Sequence, residues 1–282
     1  MVMRKILVSS ALILACGCSK QAPDTNTAES MVSPAVAATT HAPSSDALSS
    51  ALASPHRKPD NIKRDVYRHP AETLSFFGVT PTQSVIELWP GSGWYTEVLA
   101  PLLREQGKLT AAAPTGNYLQ PYKDFLATQP TVYDRVQLVE VTPPAQLPLG
   151  PDGSADVVLT FRNLHGWVNN GYIKQVHEAA FKVLKPGGVF GVVEHRAKPG
   201  SSPEESAKSG YISEEAAIAV ATAAGFVLEE KSEVNANPND TKDHPNGVWS
   251  LPPTLKGGEV DKDKFIAIGE SDRMTLRFRK PR

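Results

Sequence analysis

From Asp60 to the end of the chain, short apolar segments typical of buried strands alternate with segments of helical periodicity. The strand-like segments are residues 84–89, 109–113, 135–141, 156–161, 189–194 and 226–234. The helix-like segments are residues 68–79, 94–107, 118–128, 172–184 and 214–224. This alternation predicts an α/β fold with a largely parallel sheet and helices on both faces. In such sheets, ligands bind beyond the carboxyl ends of the strands.

The amino terminus has the pattern of a signal peptide. A basic start with Arg4 and Lys5 precedes a ten-residue apolar run, 6–15, about half the length that spans a bilayer. The run ends in Ile-Leu-Ala-Cys, which resembles the lipobox of bacterial lipoproteins. We therefore expect lipidation at Cys16, with Cys18 as the alternative site and ordinary secretion as the alternative fate. Since no acidic residue follows Cys16 directly, the resemblance implies a lipid anchor at the periplasmic face of the outer membrane.

Residues 16–56 are rich in small and turn-forming residues. Of these 41 residues, 25 are Ala, Ser, Thr or Pro, and none is aromatic. The stretch therefore predicts a disordered tether, and residues 57–282 predict one domain. Both cysteines of the chain lie at positions 16 and 18, so the domain has no disulfide and no cysteine metal site. A net charge of −1 disfavours a nucleic-acid partner.

A glycine-bearing turn follows the first predicted strand. The sequence Val-Ile-Glu-Leu-Trp-Pro-Gly-Ser-Gly-Trp has Glu87, Gly91 and Gly93 in the pattern E-x-x-x-G-x-G. Glycines at such a turn let a ligand approach the backbone and the following helix amino terminus. The pattern predicts a binding loop that includes Trp89 and Ser92, although a tight strand-to-helix turn without a ligand would use the same residues.

The later motifs resemble class I S-adenosylmethionine-dependent methyltransferases. The segments that carry the resemblance are Asp-Gly-Ser-Ala-Asp-Val-Val, a Leu-His pair at residues 164–165, and Leu-Lys-Pro-Gly-Gly at residues 184–188. With the glycine turn they cover roughly residues 84–195. The domain also resembles a family of bacterial proteins described only as predicted methyltransferases. The resemblance implies a Rossmann-like, seven-stranded sheet and S-adenosylmethionine as the cofactor, bound by Glu87, Trp89, Gly91, Ser92 and Gly93.

Three positions depart from the methyltransferase pattern. Trp89, followed by a proline, stands where the first glycine of the usual loop belongs. At the end of the second strand, Ala113 and Pro114 stand where an acid usually binds the ribose hydroxyls. At the end of the third strand, Pro143 occupies the place of an aspartate that commonly meets the adenine, with Glu140 nearby. These departures predict weakened cofactor binding.

Polar residues near the predicted strand ends are candidates for the chemistry. His165 is the expected catalytic base, because imidazole titrates near neutral pH and the residue lies beyond the fourth strand. The substrate-side candidates are Arg162, Asn163, Glu194, His195, Asp240 and His244. Asp240, Asp243 and His244 match no strong metal-ligand spacing, so we expect no metal. Asp65, Arg68 and His69 lie in the segment before the first predicted strand, which in methyltransferases often covers the cofactor.

Two functions of different class fit these patterns. The first is a methyltransferase that acts on a small-molecule or envelope-associated substrate. The second is a non-catalytic envelope lipoprotein that uses a degenerate methyltransferase fold to bind another ligand or partner. A nicotinamide oxidoreductase is a third possibility, but the missing acid after the second strand counts against it.

Overall fold

The computed structural model describes residues 45–282 and contains one seven-stranded sheet in the order β3-β2-β1-β4-β5-β7-β6. The strands are β1 Ser84–Leu88, β2 Lys108–Pro114, β3 Gln137–Val141, β4 Ala155–Phe161, β5 Leu184–His195, β6 Val227–Ser232 and β7 Arg273–Arg279. β1 to β5 pair in parallel, whereas β7 runs antiparallel to both β5 and β6. The prediction of a largely parallel, seven-stranded Rossmann-like sheet is confirmed.

Helices connect most of the strands. They are α1 Ser45–Leu52, α2 Pro59–Ile62, α3 Asp65–Arg68, α4 Pro70–Phe76, α5 Thr96–Leu103, α6 Leu119–Ala127, α7 Pro130–Tyr133, α8 Leu164–Asn169, α9 Ile173–Val183, α10 Pro203–Ser206, α11 Glu214–Ala223 and α12 Lys262–Ile268. Within residues 45–282, every helix falls short of the length and apolar character that a membrane span requires.

Alternation along the strands divides the core into two clusters, one on each face of the sheet. In β1, Val85 packs with α4, α5 and α6, while Ile86 and Leu88 pack with α8, α9 and α11. Successive strand side chains point to opposite faces, so a strand covered on both faces is apolar nearly throughout. Glu87 is the exception in β1, and it is buried on the α5 face.

The folded part of the chain begins before residue 57. α1 buries Leu48 and Ala51 in the cluster that contains α5, and Arg57 is buried against Asp65. The predicted tether, residues 16–56, therefore extends too far at its end, because two apolar residues at helical spacing suffice to dock one short amphipathic helix. The rest of the tether, the signal peptide and Cys16 lie outside the described residues.

Candidate functional site

The turn after β1 has left-handed backbone at three positions. The φ angles are 48° at Trp89, 60° at Gly91 and 83° at Gly93. A bulky residue at positive φ is strained, which explains why this position favours glycine. Packing compensates here, since the Trp89 ring lies 5.1 Å from the Trp167 ring, edge to face, and 6.4 Å from the Tyr172 ring. Trp89 thus joins the α8 side of the core.

The glycines of this turn face different surroundings. A Cβ atom on Gly93 would lie 2.3 Å from the Phe125 ring, whereas a Cβ on Gly91 would meet nothing within 4 Å. Gly91 and Ser92 are exposed, and among residues 45–282 their amides donate no hydrogen bond. Of the predicted cofactor-binding glycines, Gly91 therefore faces open space. Gly93 is required by packing against α6, and its role in cofactor binding stays a prediction.

Glu87 supports the turn from inside the core. Its carboxylate accepts a 2.6 Å hydrogen bond from the Thr96 hydroxyl, which also lies 3.1 Å from the Tyr122 hydroxyl. Burial raises the pKa of Glu87 to about 7, although the bond from Thr96 acts in the opposite direction. The side chain is 1% exposed, so Glu87 holds α5 against β1 and does not reach the open face of the turn.

The ends of β2 and β3 offer little polar support for a ribose. Ala113 is buried, and its partner in the β2–β3 register is Glu140. The Glu140 carboxylate already accepts a 2.6 Å hydrogen bond from the Lys123 ammonium group on α6. The residues present therefore fit S-adenosylmethionine in part: Gly91 and Ser92 leave an open turn, but the carboxylate that would bind the ribose hydroxyls is missing.

His165 and Glu194 come together at the carboxyl ends of β4 and β5. Glu194 is fully buried and accepts hydrogen bonds from the Leu164 amide at 2.5 Å and the His195 amide at 2.8 Å. Its Oε1 also lies 3.1 Å from Nδ1 of His165, whose side chain is 16% exposed. With Nδ1 donating to the carboxylate, Nε2 of His165 is the atom left to accept a proton.

His195 has different surroundings from His165. Its ring is 5.7 Å from the His165 ring, and Nδ1 bonds to the Ser271 hydroxyl. Burial, followed by the charges of His165 and Arg162, lowers the pKa of His195 well below its usual value. His195 is therefore neutral at physiological pH and lies beside the histidine–carboxylate pair without sharing its hydrogen bond.

Arg162 and Asn163 are adjacent in sequence but differ in role. The Asn163 amide group donates to the Leu88 carbonyl at 3.0 Å and to the Thr160 hydroxyl at 3.1 Å, so it ties β1 to β4. Arg162 has a φ of 65°, and its amide donates to the Val193 carbonyl. Among the described residues, its guanidinium has no hydrogen bond and no ion pair. Asn163 thus stabilises the pairing of β1 with β4, whereas the guanidinium of Arg162 could still donate hydrogen bonds to a ligand.

Three arginines surround one carboxylate next to this edge of the sheet. Glu270 accepts from Nε of Arg64, from Nε of Arg68 at 3.1 Å and from Nη2 of Arg273 at 2.6 Å. Of these four residues, Arg68 was predicted from the sequence, whereas Arg64, Glu270 and Arg273 were not. The sheet register, which is known only from the structure, brings Arg273 to the site: it begins β7 and pairs with His195 across the antiparallel register.

The loop before β7 is held by Asp240. The buried carboxylate accepts from the Tyr211 hydroxyl at 3.1 Å, from the Asp272 amide at 2.9 Å, and lies 2.8 Å from Nε2 of His244. Both predicted substrate-side residues of this loop, Asp240 and His244, thus contact each other and the protein interior. Within residues 45–282, no group of three or more His, Cys, Asp or Glu side chains is placed to hold a metal ion.

Comparisons with known proteins agree at the level of the fold. No family model matches the chain. No curated protein matches it either. Among solved structures, a SAM-dependent methyltransferase from Aquifex aeolicus is 16% identical with a TM-score of 0.54, covering 79% of this chain and 99% of the other. An inferred methyltransferase from Bacillus halodurans is 18% identical with a TM-score of 0.52, covering 76% and 100%.

Another similar structure carries different chemistry in its name. The [4+2]-cyclase SpnF is 17% identical with a TM-score of 0.55, and the alignment covers 76% of this chain and 80% of the cyclase. Likeness at this level of identity establishes the fold, while the reaction depends on the residues of the site. The chain has the Rossmann-like fold of class I S-adenosylmethionine-dependent methyltransferases.

Proposed function

We propose that the protein is an S-adenosylmethionine-dependent methyltransferase in which His165 removes a proton from the methyl acceptor. The observation that carries the proposal is the His165–Glu194 pair at the carboxyl edge of β4 and β5. A histidine oriented by a buried carboxylate is an arrangement that general bases use. On this fold, that edge of the sheet is also where ligands bind.

In this proposal, His165 accepts the proton and Glu194 positions His165. Glu194 holds the Nδ1–H of His165, fixes the ring and stabilises the imidazolium that forms when Nε2 takes a proton. The same carboxylate binds the Leu164 amide at the start of α8, so the helix and the histidine are positioned together. The cofactor, when bound, supplies a methyl group on a positively charged sulfur, and the open turn at Gly91 and Ser92 would hold it.

Binding and turnover test the proposal separately. Titration of the protein with S-adenosylmethionine and S-adenosylhomocysteine, followed by tryptophan emission and melting temperature, should show saturable binding. With an acceptor found by screening envelope extracts with a radiolabelled methyl donor, His165→Ala should lower turnover by roughly 10² to 10⁴. Cofactor binding should stay nearly unchanged, because only the transition state uses the proton transfer.

A second histidine provides the control. His56 contacts the Glu97 carbonyl on α5 and the Tyr133 ring, and neither residue belongs to the His165–Glu194 pair, so His56→Ala should retain turnover. The turnover of Glu194→Gln should lie between that of His165→Ala and that of His56→Ala, since the glutamine keeps one acceptor atom but loses the charge. Equal turnover in wild type and His165→Ala would contradict the assignment of the base.

The missing ribose carboxylate favours one alternative, a non-catalytic protein that binds a different ligand. Ala113 and Pro114 leave the end of β2 without an acid, and each lost charged hydrogen bond weakens binding by about 1.5 to 3 kcal/mol. If saturating cofactor changes neither emission nor melting temperature, this alternative replaces the methyltransferase proposal.

We also propose that the protein is lipid-anchored at the periplasmic face of the outer membrane. Support comes from the sequence: a basic start, a short apolar run and Cys16 in a lipobox-like context. In that location the substrate would be a small molecule or an envelope component. S-adenosylmethionine is a cytoplasmic product, so the proposal also requires that the cofactor reaches the envelope.

A further inference from the structure

We propose that Arg64, Arg68, Arg162 and Arg273 bind an oxyanion, a carboxylate or phosphate group, that belongs to the methyl acceptor. We name these four residues the arginine cluster. Its assignment to the acceptor rests on the proposed methyltransferase function, whereas anion binding by the cluster does not. The substrate class that follows is a small molecule or envelope component with a negatively charged group close to its methylated atom.

Charge balance is the first observation. Glu270 shares its two oxygens among Arg64, Arg68 and Arg273. Although burial acts to raise the pKa of Glu270, the charges of Arg273 and Arg68 outweigh it and lower the pKa to about 2. Glu270 therefore supplies one negative charge against the positive charges of the cluster.

The other nearby carboxylate does not restore the balance. Glu194 directs its oxygens to the Leu164 and His195 amides and to His165. Glu194 forms no ion pair with any member of the cluster, and its charge acts on Arg162 less strongly than burial and Arg273 do. A largely buried excess of positive charge is costly, and a bound anion would remove that cost.

Unsatisfied donors are the second observation. Arg68 is 1% exposed, and its Nη2 is buried without a hydrogen-bond partner among the described residues. Nη2 of Arg64 is in the same state. The guanidinium of Arg162, a partly exposed residue, forms no hydrogen bond or ion pair within the described part of the chain. Buried donors without partners are rare in folded proteins, and two that lie beside one carboxylate point to a missing ligand.

The mutual effect of the arginines agrees with their proximity. Burial, and then the positive charge of Arg273, lowers the pKa of Arg162 to about 10. Burial and the charge of Arg162 likewise lower the pKa of Arg68. These shifts agree with the geometry, in which three of the four guanidinium groups contact Glu270. Planar guanidinium groups bind carboxylate and phosphate oxygens through pairs of parallel hydrogen bonds.

The cluster lies next to the proposed base. Arg162 directly follows β4 and precedes His165 by three residues, and Arg273 pairs in register with His195. His195 connects the two groups, since its ring is 5.7 Å from that of His165 and its Nδ1 shares the Ser271 hydroxyl with Nε of Arg273. An anion on the cluster would thus hold the acceptor beside His165.

Anion binding can be measured without a cofactor. The guanidinium of Arg68 lies 4.6 Å above the Trp94 ring, so tryptophan emission should report an anion that reaches the cluster. Phosphate and acetate are titrated separately against the full chain at constant ionic strength, and we expect saturable binding of at least one. Tighter binding of phosphate would assign the acceptor group as a phosphate, and tighter binding of acetate as a carboxylate.

Arg162→Gln is the decisive variant because the Arg162 guanidinium forms no hydrogen bond or ion pair in the described part of the chain, so the variant breaks no direct contact. We expect it to weaken anion binding about 10- to 100-fold. We also expect it to raise the melting temperature of the ligand-free protein, since burial and repulsion from the other arginines outweigh the attraction of Glu270 and Glu194 for the Arg162 charge. The control is Arg279→Gln, which breaks a surface ion pair with Glu229 and should leave anion binding unchanged.

Three results would overturn the proposal. The first is unchanged anion affinity in Arg162→Gln, and the second is a lower melting temperature of that ligand-free variant, which would make Arg162 structural. The third is displacement of phosphate by S-adenosylhomocysteine, which would assign the cluster to the carboxylate of the cofactor. If phosphate binds through Arg162 but neither cofactor form binds, the methyltransferase proposal fails while the anion site stands, so the two failures are distinguishable.

Discussion

At the scale of single residues, the surroundings decide which ionisable group can do chemistry. His165 and His195 have rings 5.7 Å apart, yet their hydrogen-bond partners differ. Nδ1 of His165 contacts the buried carboxylate of Glu194, whereas Nδ1 of His195 contacts the Ser271 hydroxyl, close to positively charged arginines. Glu87 and Glu194 are both buried at strand ends. Glu194 accepts three hydrogen bonds, two of them from backbone amides, whereas Glu87 accepts one from Thr96. Hydrogen-bond donors stabilise the charged form of a buried carboxylate, and Glu87 has fewer of them than Glu194.

Glu87 predicts a pH dependence of stability. Burial raises its pKa to about 7 in the fold, from 4.5 in the unfolded chain. Between these values the folded state binds the extra proton, so this contribution is present below about pH 4.5 and is lost as the pH rises towards 7. Glu87→Gln keeps an acceptor for Thr96 and removes the titration. The variant should gain roughly 1 to 3 kcal/mol relative to wild type between pH 5 and pH 8.

Denaturant unfolding at both pH values measures this difference. Parallel pH profiles for wild type and Glu87→Gln would show that the pKa of Glu87 is the same in the folded and the unfolded chain, which would contradict the raised pKa.

At the scale of elements, the turn between β1 and α5 combines two demands on the backbone. Its left-handed positions make a sharp entry into α5, and Gly93 lets α6 approach so closely that the Phe125 ring occupies the space of a side chain. Gly91 meets no such neighbour. The turn is therefore closed by packing on the α6 side and open where a ligand would lie.

Alanine at the two glycines separates packing from binding. Both positions have positive φ, so both variants carry a similar backbone strain of about 1 kcal/mol. Gly93→Ala should cost more, roughly 1 to 3 kcal/mol beyond that strain, because its Cβ would overlap Phe125. Gly91→Ala should fold nearly as well but bind S-adenosylhomocysteine more weakly. Chemical denaturation and calorimetric titration measure the two effects, and equal stability of the variants would contradict the packing of Gly93.

At the scale of the whole molecule, the candidate site depends on residues from distant parts of the chain. Arg68 and Glu270 are 202 positions apart and share a hydrogen bond. Arg64 and Arg68, at the helix α3 before β1, contact Glu270 in the segment before β7. Since β7 runs antiparallel to β5, its start meets the end of β5 at the edge where ligands bind.

The proposed lipid anchor predicts a labelling result. Metabolic labelling with palmitate should tag the protein, and Cys16→Ser should abolish the label, because the thiol is the acylated atom. Cys18→Ser is the matched control and should retain the label. Labelling that survives in Cys16→Ser but is lost in Cys18→Ser would move the processing site, and an unlabelled cytoplasmic protein would contradict the anchor.

The sequence by itself determined the order of β1 to β6 and of the longer helices between them, the glycine turn and the place of His165, because periodicity and turn residues are local signals. It placed residues 45–56 in a tether, since the docking of α1 depends on a partner surface, near α5, that is formed only in the fold. Only the tertiary structure joined His165 to Glu194, closed Gly93 against Phe125, and gathered the arginines around Glu270. Such contacts depend on the sheet order, which brings distant segments to one edge and which no local pattern encodes.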